Sequence, residues 1–217
     1  MLNQKYIFLY ALILTLVVFN IGIFFGYMLE SSRLSTINNL YSNAELELLD
    51  QIAQKQAIGT LGFNCTTLVN ENIKFGDQIF NEALQIKKYE DANRISDTIT
   101  FQHKRFDLLR TIFWINSIQI KQQCSSIYHN VIYLYKYNNP TIEQESKQKF
   151  FSNLLQDLKQ KEGNNIMLIP IAADNELPSL NLLLDKYQIT SFPTILIDEK
   201  IKITDVQSID DVEKYLT

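Results

Sequence analysis

Two thiols and two imidazoles are the residues of this 217-residue chain best suited by type to do chemistry: Cys65, Cys124, His103 and His129. A cysteine pair can lock into one structural disulfide or cycle between dithiol and disulfide, if the fold brings the sulfurs together. His103 and Asp107 stand four apart, on one face of any helix that holds both. A histidine beside Lys104 and Arg105 ordinarily lies on a solvated face, and that is the expectation here. His129 has no acid or nucleophile near it in sequence. Two histidines and two distant cysteines do not make a zinc pattern, and no glycine-rich phosphate loop is present, so neither metal nor cofactor is expected. No catalytic set emerges, and the chain does not read as an enzyme.

The cysteines depend on the helices around them. Cys65–Glu90 and Ser96–Cys124 hold no proline, and only Gly76 interrupts their helical spacing of apolar residues. A short joint near Asp91-Ala92-Asn93 makes them an antiparallel hairpin. Counted from Ala92, Cys65 is 27 residues back and Cys124 is 32 forward. At 1.5 Å rise per residue the mismatch is only about 7 Å, so the two thiols meet at the open end and can form a disulfide. The other reading is two unpaired core thiols. Asn64-Cys65-Thr66 also matches a glycosylation sequon, a triplet that arises often by chance.

Ahead of the hairpin, Tyr6 to Met28 carries no charge and is long enough to cross a bilayer. Tyr6, Tyr10 and Tyr27 suit the interfaces, and no A-x-A-like cleavage site follows Leu29, so the span reads as an uncleaved anchor. Lys5 precedes it, while Glu30 and Arg33 nearly cancel behind it. The positive-inside tendency then puts the N-terminus in the cytoplasm of a single-pass membrane protein, with the soluble part outside. Gly22 and Gly26 form a smooth strip through which two copies of the helix could pack as a homodimer, although glycine is common in membrane helices anyway. Ile37, Leu40, Tyr41, Ala44, Leu48, Leu49 and Ile52 continue as a helical stripe, a stalk ended by Gly59 and Gly62.

All four prolines fall after residue 139, and four of the six glycines before residue 63. That shift puts a domain boundary near His129. The expected organisation is a transmembrane anchor (1–30), a stalk (31–62), a hairpin (63–128) and an α/β domain (129–217), α+β overall. The net charge of −4 falls entirely after residue 130, and no Lys/Arg cluster stands out, so nucleic acid is not an expected partner. In the last domain, strands at Val131–Tyr135, Ile166–Ile171, Pro193–Ile197 and Ile201–Val206 alternate with helices. Thr141 opens the first helix with Gln144 at the capping-box return position, and Gly163 stops it. A second helix covers Leu180–Tyr187. Ser208 with Asp211 opens the last, which ends near Leu216.

The stretch Tyr187–Asp198, YQITSFPTILID, runs an aromatic-Pro-Thr step into a β-branched strand. Its spacing resembles the segment that carries the cis-proline of the thioredoxin family, and the order β-α-β-α-β-β-α is that family's core. The resemblance covers 130–217, with Asp174 after the second strand as further support. The whole arrangement also looks like small membrane-anchored proteins of unassigned role, some of them archaeal. In redox-active members a C-x-x-C follows the first strand; here that place is Tyr137-Asn138-Asn139-Pro140-Thr141, and no cysteine lies in the domain. The resemblance therefore implies binding without thiol exchange: an extended partner pairing with backbone at Ser191, Phe192 and Pro193, in a groove facing Asn138, Asn139, Pro140 and Thr141. The expected function is a membrane-tethered, redox-inactive module that binds protein or peptide outside the cytoplasm. Two alternatives stand beside it: an oxidoreductase or isomerase helper using Cys65 and Cys124, and a purely structural assembly protein.

Overall fold

The computed structural model describes residues 4–61, 64–90, 97–124 and 128–216, and the chain divides into two compact units, Met1–Ser42 and Asn43–Thr217. Helix α1 spans Gln4–Leu61. In the first unit, Phe8–Ser32 is a 25-residue stretch long and apolar enough to cross a membrane. Its large side chains, Phe19 and Phe24 among them, are exposed. Within it Thr15 Oγ1 donates to Ala11 O at 2.8 Å and Asn20 Nδ2 to Leu16 O at 2.7 Å. Around Gly22 and Gly26 a Cβ would meet open space. Of the stalk stripe, Leu48 is buried, Ile52 half-buried and Leu49 exposed. The side chains of Ile37, Leu40, Tyr41 and Ala44, together with Gly62 and the Asp91-Ala92-Asn93 joint, lie outside the described residues.

The second unit is α+β. Helices α2 (Cys65–Glu90) and α3 (Asp97–Cys124) precede β1 (His129–Tyr135), α4 (Ile142–Glu162), a 3₁₀ turn (Gly163–Asn165) and β2 (Ile166–Ala172). Then come α5 (Pro178–Lys186), β3 (Thr194–Ile197), β4 (Ile201–Ile203) and α6 (Asp210–Glu213). The sheet order is β2-β1-β3-β4. β1 and β2 run parallel with Val131 opposite Leu168, and β3 runs antiparallel to both β1 and β4. The crossover that a parallel pair requires is α4. Pro170 sits in β2 because that strand is at the sheet's edge, and Pro193 precedes β3 through a cis Phe192–Pro193 bond.

Alternation assigns the two faces. Val131, Tyr133, Leu168, Ile195 and Ile197 pack with Phe151, Leu154, Leu155 and Leu158 of α4 and with Val212 of α6. The intervening residues Ile132, Leu134, Ile169 and Leu196 are equally buried. On their side of β2, Met167 lies against α2 and α3: a Cβ on Gly76 would stand 2.0 Å from Met167 Sδ and 3.2 Å from Phe113 Cζ. Glycine at 76 is thus what lets α2 close on the strand, despite costing a helix interior about 1 kcal/mol relative to alanine. The hairpin and the sheet pack on one another within the second unit.

The capping box of α4 forms as expected, with Gln144 N–H donating to Thr141 Oγ1 at 3.2 Å and Thr141 N–H to Gln144 Oε1 at 3.1 Å. Some element ends differ. α5 begins two residues earlier than expected, because Pro178 suits a first helical turn. β4 stops at Ile203. At α6 the capping runs in reverse: the Asp211 carboxylate accepts from the Gln207 and Ser208 N–H groups.

Candidate functional site

Helix α3 runs antiparallel to β1 and carries polar side chains to both ends of the sheet. At the end where β1 and β2 finish, the segment after β1 is fixed by side chains rather than by regular structure. Asp174 accepts from Tyr137 N–H at 2.8 Å and Asn138 N–H at 2.7 Å, and Asn138 Nδ2 returns a bond to Asp174 O at 3.2 Å. Gln148 of α4 holds both backbone groups of Lys136. Asn175 links this loop to α3 by donating to Asp107 Oδ2 at 2.5 Å. Asp107 also accepts from Arg110 Nη1 at 3.0 Å, while His103 Nε2 lies 3.1 Å from Tyr135 OH and its ring lies against Tyr137.

These residues correct the expectation of a solvated His103–Asp107 face, since His103 is 4% exposed and Asp107 0%. Burial and the nearby Arg110 push His103 down to about 3, so it is neutral and its 3.6 Å approach to Asp107 is no ion pair. Burial pushes Asp107 up to about 6, against the Arg110 charge and its hydrogen bonds. The signs oppose. A lowered histidine leaves the unfolded chain to bind the proton first, so its contribution to stability is lost as pH falls below 6.5 toward 3. A raised aspartate makes the folded chain bind first, so stability is regained as pH falls through 6. Removing only the histidine isolates its part: the stability of His103→Gln relative to the parent should rise by about 1.4 kcal/mol per pH unit below pH 6.5. Denaturant titrations of both proteins across that range would read it, and a constant difference would show His103 protonated in the fold.

At the opposite end of the sheet, His129 also has an acid partner, against expectation: its Nδ1 is 2.6 Å from Asp198 Oδ2. Asp198 further accepts from Lys121 Nζ and from Asn130 N–H. Burial alone would raise Asp198, but the hydrogen bonds from Lys121, His129 and Asn130 hold it below the ordinary carboxylate range. Glu199 accepts from Trp114 Nε1 at 2.8 Å and Asn130 Nδ2 at 3.1 Å, and burial raises it. These anchors hold Asp198 and Glu199 at φ 47° and 58° in the β3–β4 turn, positions that usually require glycine or asparagine. Ser117, Tyr128 and Asn72 extend the network into α2. Its hydrogen bonds join α3, β1 and the turn, so the cluster reads as a structural lock.

The segments expected to form a groove both lie at the Tyr135 end of the sheet. Leu134 opposite Thr194 sets Pro193 beside the end of β1, where the 136–141 loop also begins. Ser191 is exposed, Phe192 half-buried and Pro193 buried; Asn138 and Pro140 are half-buried, Asn139 and Thr141 exposed. The outward Ile142, 86% exposed, adds an apolar side chain that sequence reasoning passed over. Cys65 and Cys124 are bonded, with Cα atoms 5.3 Å apart, at the other end of α3. Among the described residues no cluster of three or more His, Cys, Asp or Glu could hold a metal. No family model and no curated protein matches the chain.

Proposed function

We propose that the protein is a membrane-tethered module with a thioredoxin-like domain that is redox-inactive and binds an extended protein or peptide segment outside the cytoplasm. The observation that carries the reading is the end of the sheet at Tyr135. There the exposed Ser191 and half-buried Phe192 approach β3 beside a loop that Asp174 and Gln148 hold rigid. A backbone stretch before an inner strand offers N–H and C=O groups to an added strand, and a rigid neighbouring loop lowers the ordering cost of binding. The β-α-β-α-β-β-α element order supports the family resemblance. The loop that would carry a C-x-x-C has none. The membrane-length helix supports tethering, and the Cys65–Cys124 bond supports an oxidising compartment.

Phe192→Asp tests the reading by placing a charge at the pairing edge. With the full chain in detergent and a labelled decapeptide of alternating valine and threonine, affinity should fall by more than about tenfold, or about 1.4 kcal/mol. Unchanged binding by a variant with parental thermal stability would refute it.

A further inference from the structure

We propose that the Cys65–Cys124 bond is a directional thiol–disulfide exchange site, at which a protein or peptide dithiol attacks Cys65 and Cys124 is the sulfur displaced. This rests on the hairpin alone and stands or falls independently of peptide binding at Phe192. The two sulfurs are in unequal surroundings. Cys65 is exposed and is the first residue of the 26-residue α2. Asn64 caps that helix, its side-chain oxygen accepting from Thr66 N–H at 3.0 Å. The N-terminus of a helix is the positive end of its dipole, which favours a thiolate. Cys124 is half-buried and is the last residue of α3, where the free carbonyls gather negative charge. Lys121, the cation of that last turn, is engaged by Asp198. Accessibility therefore selects the sulfur attacked, Cys65, and the α2 N-terminus supports Cys65 as the thiolate released in the second displacement.

The exchange then runs in two displacements. A donor thiolate attacks Cys65 Sγ; the S–S bond breaks, Cys124 leaves with the electron pair and takes up a proton. The donor's second thiolate next attacks the donor sulfur of the mixed disulfide, and Cys65 departs as a thiolate supported by the α2 N-terminus. The donor is oxidised by two electrons to its disulfide, and the protein is reduced to the dithiol. The hairpin remains attached throughout, through the Asn72–Tyr128–Ser117 hydrogen bonds and the packing of Met167 against Phe113.

The test uses the full chain in detergent at neutral pH, with reduced glutathione as the probe, acid quenching, and mass spectrometry of the tryptic peptides. Because Cys65 is exposed and Cys124 half-buried, glutathione is expected on Cys65 over Cys124 by about tenfold. The dithiol form should likewise react with iodoacetamide about tenfold faster at Cys65, the preference vanishing in denaturant. Equal or reversed labelling would overturn the proposal. So would a bond that glutathione and dithiothreitol leave intact until the chain unfolds.

Discussion

Asp107→Ala is expected to lower the unfolding free energy by about 3 to 5 kcal/mol near neutral pH, because it strands a buried guanidinium. Asp107 is fully buried, and its carboxylate accepts from Arg110 at 3.0 Å and from Asn175. Without it Arg110, itself 5% exposed, keeps its charge and loses its counter-ion. Asn175 loses the bond that ties the loop after β2 to α3. Replacing both charges with apolar residues, as in Asp107→Leu with Arg110→Met, should cost less than the single change, since burying an ion pair is itself expensive. Chemical denaturation of the three proteins reads the comparison directly. A single-site loss under about 1 kcal/mol would mean that the α3–loop network contributes only as much as an exposed ion pair.

Loss of the disulfide is the second large effect. The bond joins residues 59 apart, and the chain-entropy argument gives about 4 kcal/mol for a loop of that length. Cys65→Ala with Cys124→Ala should therefore move the denaturant midpoint down, with a steeper slope as the unfolded chain expands. The same loss should appear in the parent after full reduction. A double variant as stable as the parent would mean that packing between α2, α3 and the sheet alone sets the stability of the hairpin.

The features legible from the sequence are those that local chemistry dictates. Thr141 with Gln144 announces a helix start because both partners of the capping box lie within one turn. The cysteine pairing was readable because helix rise converts residue counts into distance, and the hairpin needs no other information. Pro193 marked the start of β3 because proline has no N–H to give to a ladder. What stayed hidden depends on partners far along the chain. His129 meets Asp198 across 69 residues, and Asn175 meets Asp107 across 68. Around α3, polar and apolar residues are mixed, so Lys104, Arg105 and Asp107 resemble a solvated face. In the fold Arg105 is taken up by Glu45 of α1 and Asp107 by Arg110 and Asn175, so those charges meet other elements of the chain. Composition changes near His129, and Met167 of β2 nonetheless packs against the hairpin.

Strand addition at Ser191 and Phe192 is tested most directly by amide hydrogen exchange of the full chain with and without the valine–threonine decapeptide. Pairing predicts slowed exchange confined to the segment preceding Pro193 and to the loop from Lys136 to Thr141, with Phe192→Asp abolishing it. Exchange unchanged in both segments at saturating peptide, or protection appearing only elsewhere on the chain, would contradict the account.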